Sequence, residues 1–246
     1  MIIAFIFGLV AGLALLLGAI IGLVFKPAQK ISAMIMAFGS GVLISALTFD
    51  LIEEAYKVGR ILPISFGFIF GALLFVVADW IIGKRGGHYR KHLKGKRSSY
   101  SGEANSLAIT FGALLDGIPE SVMIGTGLLT GGSTGILMFA AVFLSNIPEG
   151  MSGVYGISKA RKPKFFIMSL WAFIALACGI ASFLGYKYLA NAPGGILAIT
   201  QAIAAGSILA MITDTMIPEA YEEGGVFVAL STVLGFLLAF IISKIA

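Results

Sequence analysis

Residues 41–56 read GVLISALTFDLIEEAY, and residues 206–221 read GSILAMITDTMIPEAY. Laid on each other without a gap, they share Gly41/Gly206, Thr48/Thr213, Ile52/Ile217, Glu54/Glu219, Ala55/Ala220 and Tyr56/Tyr221. A shorter match pairs Leu-x-x-Ile-Pro-Glu at 115–120 with the same pattern at 144–149. These repeats lie in apolar runs of membrane-spanning length. One helical span needs about 20 mostly apolar residues, and eight runs qualify: 2–25, 32–56, 62–83, 106–129, 134–157, 165–187, 197–220 and 225–244.

The bulk composition agrees. Of 246 residues, 59% are hydrophobic and 12% charged, and the mean hydropathy is +1.01. Soluble domains carry about a quarter charged residues, so lipid is the solvent this chain is built for. The expected fold is an all-α integral membrane protein of eight transmembrane helices forming one domain over 1–246. Helices one to three fall within 1–83 and a basic loop within 84–104. Helices four and five fall within 105–157, and helices six to eight within 165–246. The first run lacks a basic flank and is too long and apolar for a cleavable signal peptide. The single cysteine, Cys178, excludes an intramolecular disulfide and reads as a packing residue in an apolar run.

Charge sets the expected orientation. Lys26 and Lys30 follow the first run, seven basic residues from Lys84 to Arg97 follow the third, and Lys159, Arg161, Lys162 and Lys164 flank the loop after the fifth. Together they make 13 of the 17 basic residues, leaving Lys57, Arg60, Lys187 and Lys244 for the other side. Basic loops stay in the cytoplasm, which puts both termini outside a cell membrane crossed many times. The net charge of +5 is therefore a topology signal, and no nucleic-acid partner is expected. In this orientation helices two and seven cross in opposite senses, as do four and five. The matched stretches thus form an inverted repeat, a pattern of transporters whose substrate site lies near the midplane.

The acids suggest the substrate. Asp116 and Glu120 fall near the middle of helix four and Glu149 near the middle of helix five. A charge there costs several kcal/mol and marks a functional site by default. A buried ion pair does not explain them, because helices two, four, five and seven carry no Lys or Arg in their interiors. Protonated carboxyls bonded to neighbours are one alternative; the other is neutralisation by a cation, either a metal ion or a transported proton. Spacing favours the metal. Asp116 and Glu120 share one helix face a turn apart, and Ser145 and Glu149 repeat the arrangement on helix five. Three carboxylates, the Ser145 hydroxyl and the Asn146 amide would face one ion. Pro119 and Pro148 each remove a helical hydrogen bond and free the carbonyls of Leu115 and Leu144.

Further acids lie towards the two mouths. Asp50, Glu53 and Glu54 occupy the outer third of helix two, and Asp214 and Glu219 lie at the inner end of helix seven, followed by Glu222 and Glu223. Entry and exit relays fit this layout, with solvated helix-end roles for Glu222 and Glu223. Asp79 with Trp80 reads as an interfacial anchor. His88 and His92, four apart in the basic loop, are candidates for a weak regulatory metal site, with ordinary solvated histidines as the competing reading. That loop also suits anionic headgroups.

These residues resemble the ZIP (Zrt/Irt-like) metal transporters, especially their short GufA-type branch. Ser145-Asn-Ile-Pro-Glu-Gly150 is similar to the family's helix-five motif, and Asp116-Gly-Ile-Pro-Glu-Ser121 to its helix-four motif. Asp214-Thr-Met-Ile-Pro-Glu-Ala220 is similar to the branch's helix-seven motif. The resemblance implies a 3+2+3 arrangement and a primary metal site of Asp116, Glu120, Ser145 and Glu149. It also implies a second site drawing on Gly117, Asn146, the two glutamates and an acid on helix six. Gly117 has no side chain and helix six no carboxylate, which tells against a binuclear centre.

The expected function is carriage of a divalent metal substrate, Zn²⁺, Fe²⁺ or Mn²⁺, into the cytoplasm. A proton-coupled carrier or cation channel on the same architecture is the alternative. The expected partners are the metal ion and the lipid bilayer, with homodimerisation open. No His-Glu-x-x-His and no Ser/His pair lies within the helices, so an enzyme is not expected.

Overall fold

The computed structural model describes residues 1–25, 28–84, 102–130, 132–159 and 163–245. The described residues form eight long helices: α1 (Ile2–Val24), α2 (Gln29–Val58), α3 (Ile61–Lys84), α4 (Gly102–Thr130), α5 (Gly132–Lys159), α6 (Lys164–Leu189), α7 (Gly194–Gly224) and α8 (Phe227–Ile245). All except α4 are long and apolar enough to cross a membrane by length and composition. Each helix corresponds to one of the apolar runs, with α8 beginning two residues after the start of its run. Several begin earlier than their run, α2 at Gln29 and α4 at Gly102, because backbone hydrogen bonding continues where apolar side chains stop.

Two helices are not uniform. α2 widens into a π turn over Leu47–Ile52, and α7 does so over Ile212–Met216. A π turn breaks the regular ladder and collects at functional places. Thr48 donates to the Ile44 carbonyl at 2.7 Å and Thr213 to that of Leu209 at 2.9 Å, so local hydroxyls serve carbonyls beside the distortion.

Successive helices run in opposite directions, as named contacts show. α1 and α5 are parallel, with the Gly18 position against Ile147 and Gly22 against Met151. α1 and α6 are antiparallel, Gly8 meeting Ser182 and Gly12 meeting Ala175. α2 lies parallel to α8 through Met34–Ser231 and Asp50–Ser243. α3 lies parallel to α7, with Gly67 against Ile199 and Gly71 against Ile203. The start of α2 meets the end of α7, where Ala33 faces Gly224. The helices fall into two packed groups, α1 with α4, α5 and α6, and α2 with α8 beside α3 with α7. α2 against α5 and α4 against α7 join the groups.

Small residues make the joints. Without a water-driven hydrophobic term between helices, membrane packing relies on close van der Waals contact, which glycine permits. A Cβ at Gly41 would stand 1.9 Å from the Thr232 carbonyl oxygen, and one at Gly206 1.9 Å from that of Phe68. The outward faces are the reverse: α3 exposes Phe66, Phe70, Leu73 and Val77, and α8 exposes Leu230, Leu234, Leu237 and Ile241. Those chains suit lipid. At the end of α3 the Lys84 ammonium sits 3.6 Å from the Trp80 ring centre, an arrangement suited to a membrane interface.

Gly206→Ala therefore forces α7 away from α3 and should cost about 1–3 kcal/mol, the usual range for overpacking. Gly195→Ala, where nothing lies within 4 Å of the new methyl, should leave stability unchanged or raised. Thermal unfolding of the two variants in one detergent checks the contrast.

Candidate functional site

The sequence places a proline inside each of α4 and α5, yet neither helix breaks: Pro119 and Pro148 lie within continuous helices. Around them the polar residues point inward. Asp116 is 2% exposed, and Glu120, Ser145 and Asn146 are each 1% exposed; Glu149 is partly buried. α4 and α5 form a hairpin whose close end is fixed by glycines, a Cβ at Gly127 falling 3.2 Å from the Gly135 Cα. Helix α2 presses on the same place, since a Cβ at Gly39 would fall 3.0 Å from the Ser145 Cα.

The donor set is made of oxygens. Asn146 Nδ2 donates to the Ala11 carbonyl of α1 at 2.8 Å. That bond orients the amide, and its Oδ1 is buried with no hydrogen-bond donor among the described residues. Ser145 Oγ donates to the Val142 carbonyl at 3.0 Å, which uses its proton and leaves its lone pairs as acceptors. Carboxylate, hydroxyl and amide oxygens suit cations and offer nothing to anions. No three His, Cys, Asp or Glu side chains among the described residues stand close enough to hold a metal ion in this conformation.

Helix α6 approaches through Cys178, which packs with Trp171 and Ile174 as the sequence suggests. Its Sγ lies 3.8 Å from the Gly117 carbonyl oxygen, and a Cβ at Gly117 would fall 3.0 Å from that sulfur. The missing side chain at 117 thus makes room for α6.

The outlying acids divide. Asp50 is buried and accepts a 2.6 Å hydrogen bond from Ser243 Oγ of α8. Here basic partners do appear: Lys57 Nζ is 2.8 Å from Glu54 Oε1, and Lys244 Nζ is 3.7 Å from Glu53 Oε2. These pairs are partly exposed and screened by solvent, so they hold the helix ends only weakly. At the opposite end of α2, Glu219 of α7 accepts a hydrogen bond from Ser152 of α5. Asp214 is exposed on α7 and is not gathered with the central acids. His88 and His92 lie outside the described residues.

Three polar residues escaped the sequence reading: Ser152, Ser243 and Gln201. Gln201 is 0% exposed in α7, and neither amide atom has a hydrogen-bond partner among the described residues. It stands one turn before Ala205, whose face joins Met123, Ile124 and Leu43 of α4 and α2 in the main core. The signal was present, a lone amide inside ILAITQAIAAG, but a search for charge passes over it.

No family model matches the chain, and no curated protein matches it.

An unsatisfied buried amide costs about 1–3 kcal/mol, so Gln201→Leu should raise the melting temperature of the purified protein. A clear fall would assign the amide a structural partner and remove it from the polar interior.

Proposed function

We propose that this protein carries a divalent transition-metal ion, Zn²⁺, Fe²⁺ or Mn²⁺, across the cell membrane into the cytoplasm through a site between α4 and α5. The observation that carries the reading is the burial of Asp116, Glu120, Ser145 and Asn146 on two adjoining helices, with the Asn146 Oδ1 offered to the interior. An acid held in lipid-enclosed space requires compensation. A cation that arrives and leaves can supply it. The binding role involves no bond-making chemistry, so the protein acts as a carrier and not as an enzyme.

The inverted repeat belongs to the same proposal. Two observations support it. The π turns at 47–52 and 212–216 coincide under the alignment that matches Gly41 with Gly206. The packing pairs also exchange: Gly41 of α2 meets α8 at Thr232, while Gly206 of α7 meets α3 at Phe68. A two-fold relation between the halves accounts for both. In this scheme Asp50, Glu53 and Glu54 line the entry side, and Glu219 lines the exit side.

One observation favours the runner-up. The acidic side chains do not form a ready three-ligand cluster, as a carrier that relays protons would also have it. Metal content separates the two: a metal carrier retains a divalent ion in stoichiometric amount on purification from metal-replete medium, and a proton carrier does not.

Glu120→Ala and Glu149→Ala should each abolish metal uptake in a metal-depleted host while membrane insertion persists, because a ligand is lost and a buried acid relieved. Uptake near wild type in both would refute the site. Asp50→Asn should slow uptake less, since it acts on access.

Orientation is tested separately. Cysteines introduced by Ser98→Cys and Ala160→Cys, in a Cys178→Ala background, should resist impermeant thiol reagents in intact cells. Ready labelling of both would reverse the topology.

Metal preference follows from the donors. Oxygen sites suit harder ions, while imidazole and thiolate favour Zn²⁺. Asp116→His should shift competition towards Zn²⁺ and Cd²⁺ over Mn²⁺ and Fe²⁺, read as inhibition of labelled Zn²⁺ uptake by each ion. An unchanged order would remove Asp116 from the selectivity set.

A further inference from the structure

Ser152 lies three residues beyond Glu149 on α5, on the neighbouring turn towards the end where α7 finishes and α2 begins. Its hydroxyl donates to Glu219 Oε1 of α7. The two residues wall a small pocket of about 20 Å³ together with Ser32, Met36 and Glu223. This is the end joined by the most basic loops in the chain. The bond also crosses between the two packed groups, since α5 belongs with α1, α4 and α6 while α7 belongs with α3 beside α2 and α8. By contrast, Asp50–Ser243 at the far end joins α2 to α8 inside one group.

A contact that crosses the groups must break whenever α5 moves against α7. One that stays within a group need not. Along α2, Gly39 closes on Ser145 while Ser32, Ala33 and Met36 line the Ser152 pocket. The same α2–α5 seam therefore runs from the buried oxygens to Glu219.

We propose that Ser152 is a positioning residue of the pathway, whose hydroxyl holds the Glu219 carboxylate across the route from Glu149 to the basic end and keeps that end closed. The identity of the traveller rests on the carrier reading above; the tie between α5 and α7 does not. A divalent cation leaving Glu149 offers Glu219 a full charge where Ser152 offers a hydroxyl dipole. The carboxylate therefore exchanges the hydroxyl for the ion, and the tie opens only when an ion is in transit. In this account Glu219 is both latch and first exit ligand.

The chain supplies its own reporter. Cys178 is its sole cysteine, is 1% exposed, and lies beside Gly117 at the level of the buried acids. Its labelling rate by a small thiol reagent, added to protein in nanodiscs without metal, reads how often the interior opens. Ser152→Ala and Glu219→Ala should each raise that rate several-fold, and Ser152→Thr, which keeps the hydroxyl, should return it to the wild-type value. Unchanged labelling in both alanine variants would overturn the proposal. A second arm uses Ser152→Cys with Glu219→Cys in a Cys178→Ala background. Oxidation should lower uptake several-fold below that of the same variant when reduced, whereas equal uptake in the two states would also overturn the proposal. Because the labelling arm uses no metal, a wild type that binds and transports no divalent ion would sink the carrier reading while the latch still stood on Cys178 labelling.

Discussion

Helices α1 and α5 touch backbone to backbone on either side of Pro148 and Glu149, and the candidate site depends on that contact. A Cβ at Gly18 would stand 2.0 Å from the Ile147 carbonyl oxygen, and one at Gly150 2.1 Å from that of Leu15. Only bare α-carbons let the helices approach so closely. The approach brings the Ala11 carbonyl to Asn146 Nδ2 at 2.8 Å. The amide is thereby turned with its oxygen to the interior. α6 is held against the other face of α1 by Gly8 and Gly12, and through Cys178 it reaches Gly117 of α4. One close contact thus propagates to all four helices around the buried acids.

The same economy of side chains governs the outer pairs. α2 and α7 are each anchored by a glycine to a parallel neighbour, and each then widens into a π turn before its acidic end. The first part of each helix is fixed by close packing. The part beyond the π turn carries Glu53 and Glu54 in α2 and Glu219 in α7, and adds ionic and hydrogen-bonded contacts to the packing of Ala55 and Ala220. A locked half joined to a polar half by a loosened turn is a natural place for a helix to bend.

Much of the fold was legible in the sequence because lipid imposes a strong rule. Every backbone polar group in the bilayer must be satisfied inside the protein, and a helix does so within its own segment, so runs of about 20 apolar residues become helices. The eight runs and the eight helices correspond for that reason. Burial of Asp116, Glu120, Ser145 and Asn146 was readable too, since all four sit near the middle of spans that are otherwise mostly apolar. The reading of the outlying acids was looser. Glu53 and Glu54 share one short stretch with Asp50, but Lys244, nearly two hundred residues away, pairs with Glu53 across α8. Asp214 and Glu219 are close in sequence, yet one is exposed and the other bonds to α5, because residues five apart fall on different faces of an α-helix.

Composition, periodicity and the alternation of basic loops determined by themselves that the chain is a set of membrane-length helices with acids in their interiors. Those properties depend on each segment's own exchange between water and lipid, which needs no knowledge of neighbours. The tertiary structure alone decided which helices touch and which oxygens converge. Asn146 meets Ala11, Glu219 meets Ser152, Asp50 meets Ser243, and Gln201 finds no amide partner among the described residues. Each of these pairings joins residues far apart in the chain. Glycines fix them by the closeness of approach they allow, and that fit between two surfaces cannot be read from either surface alone.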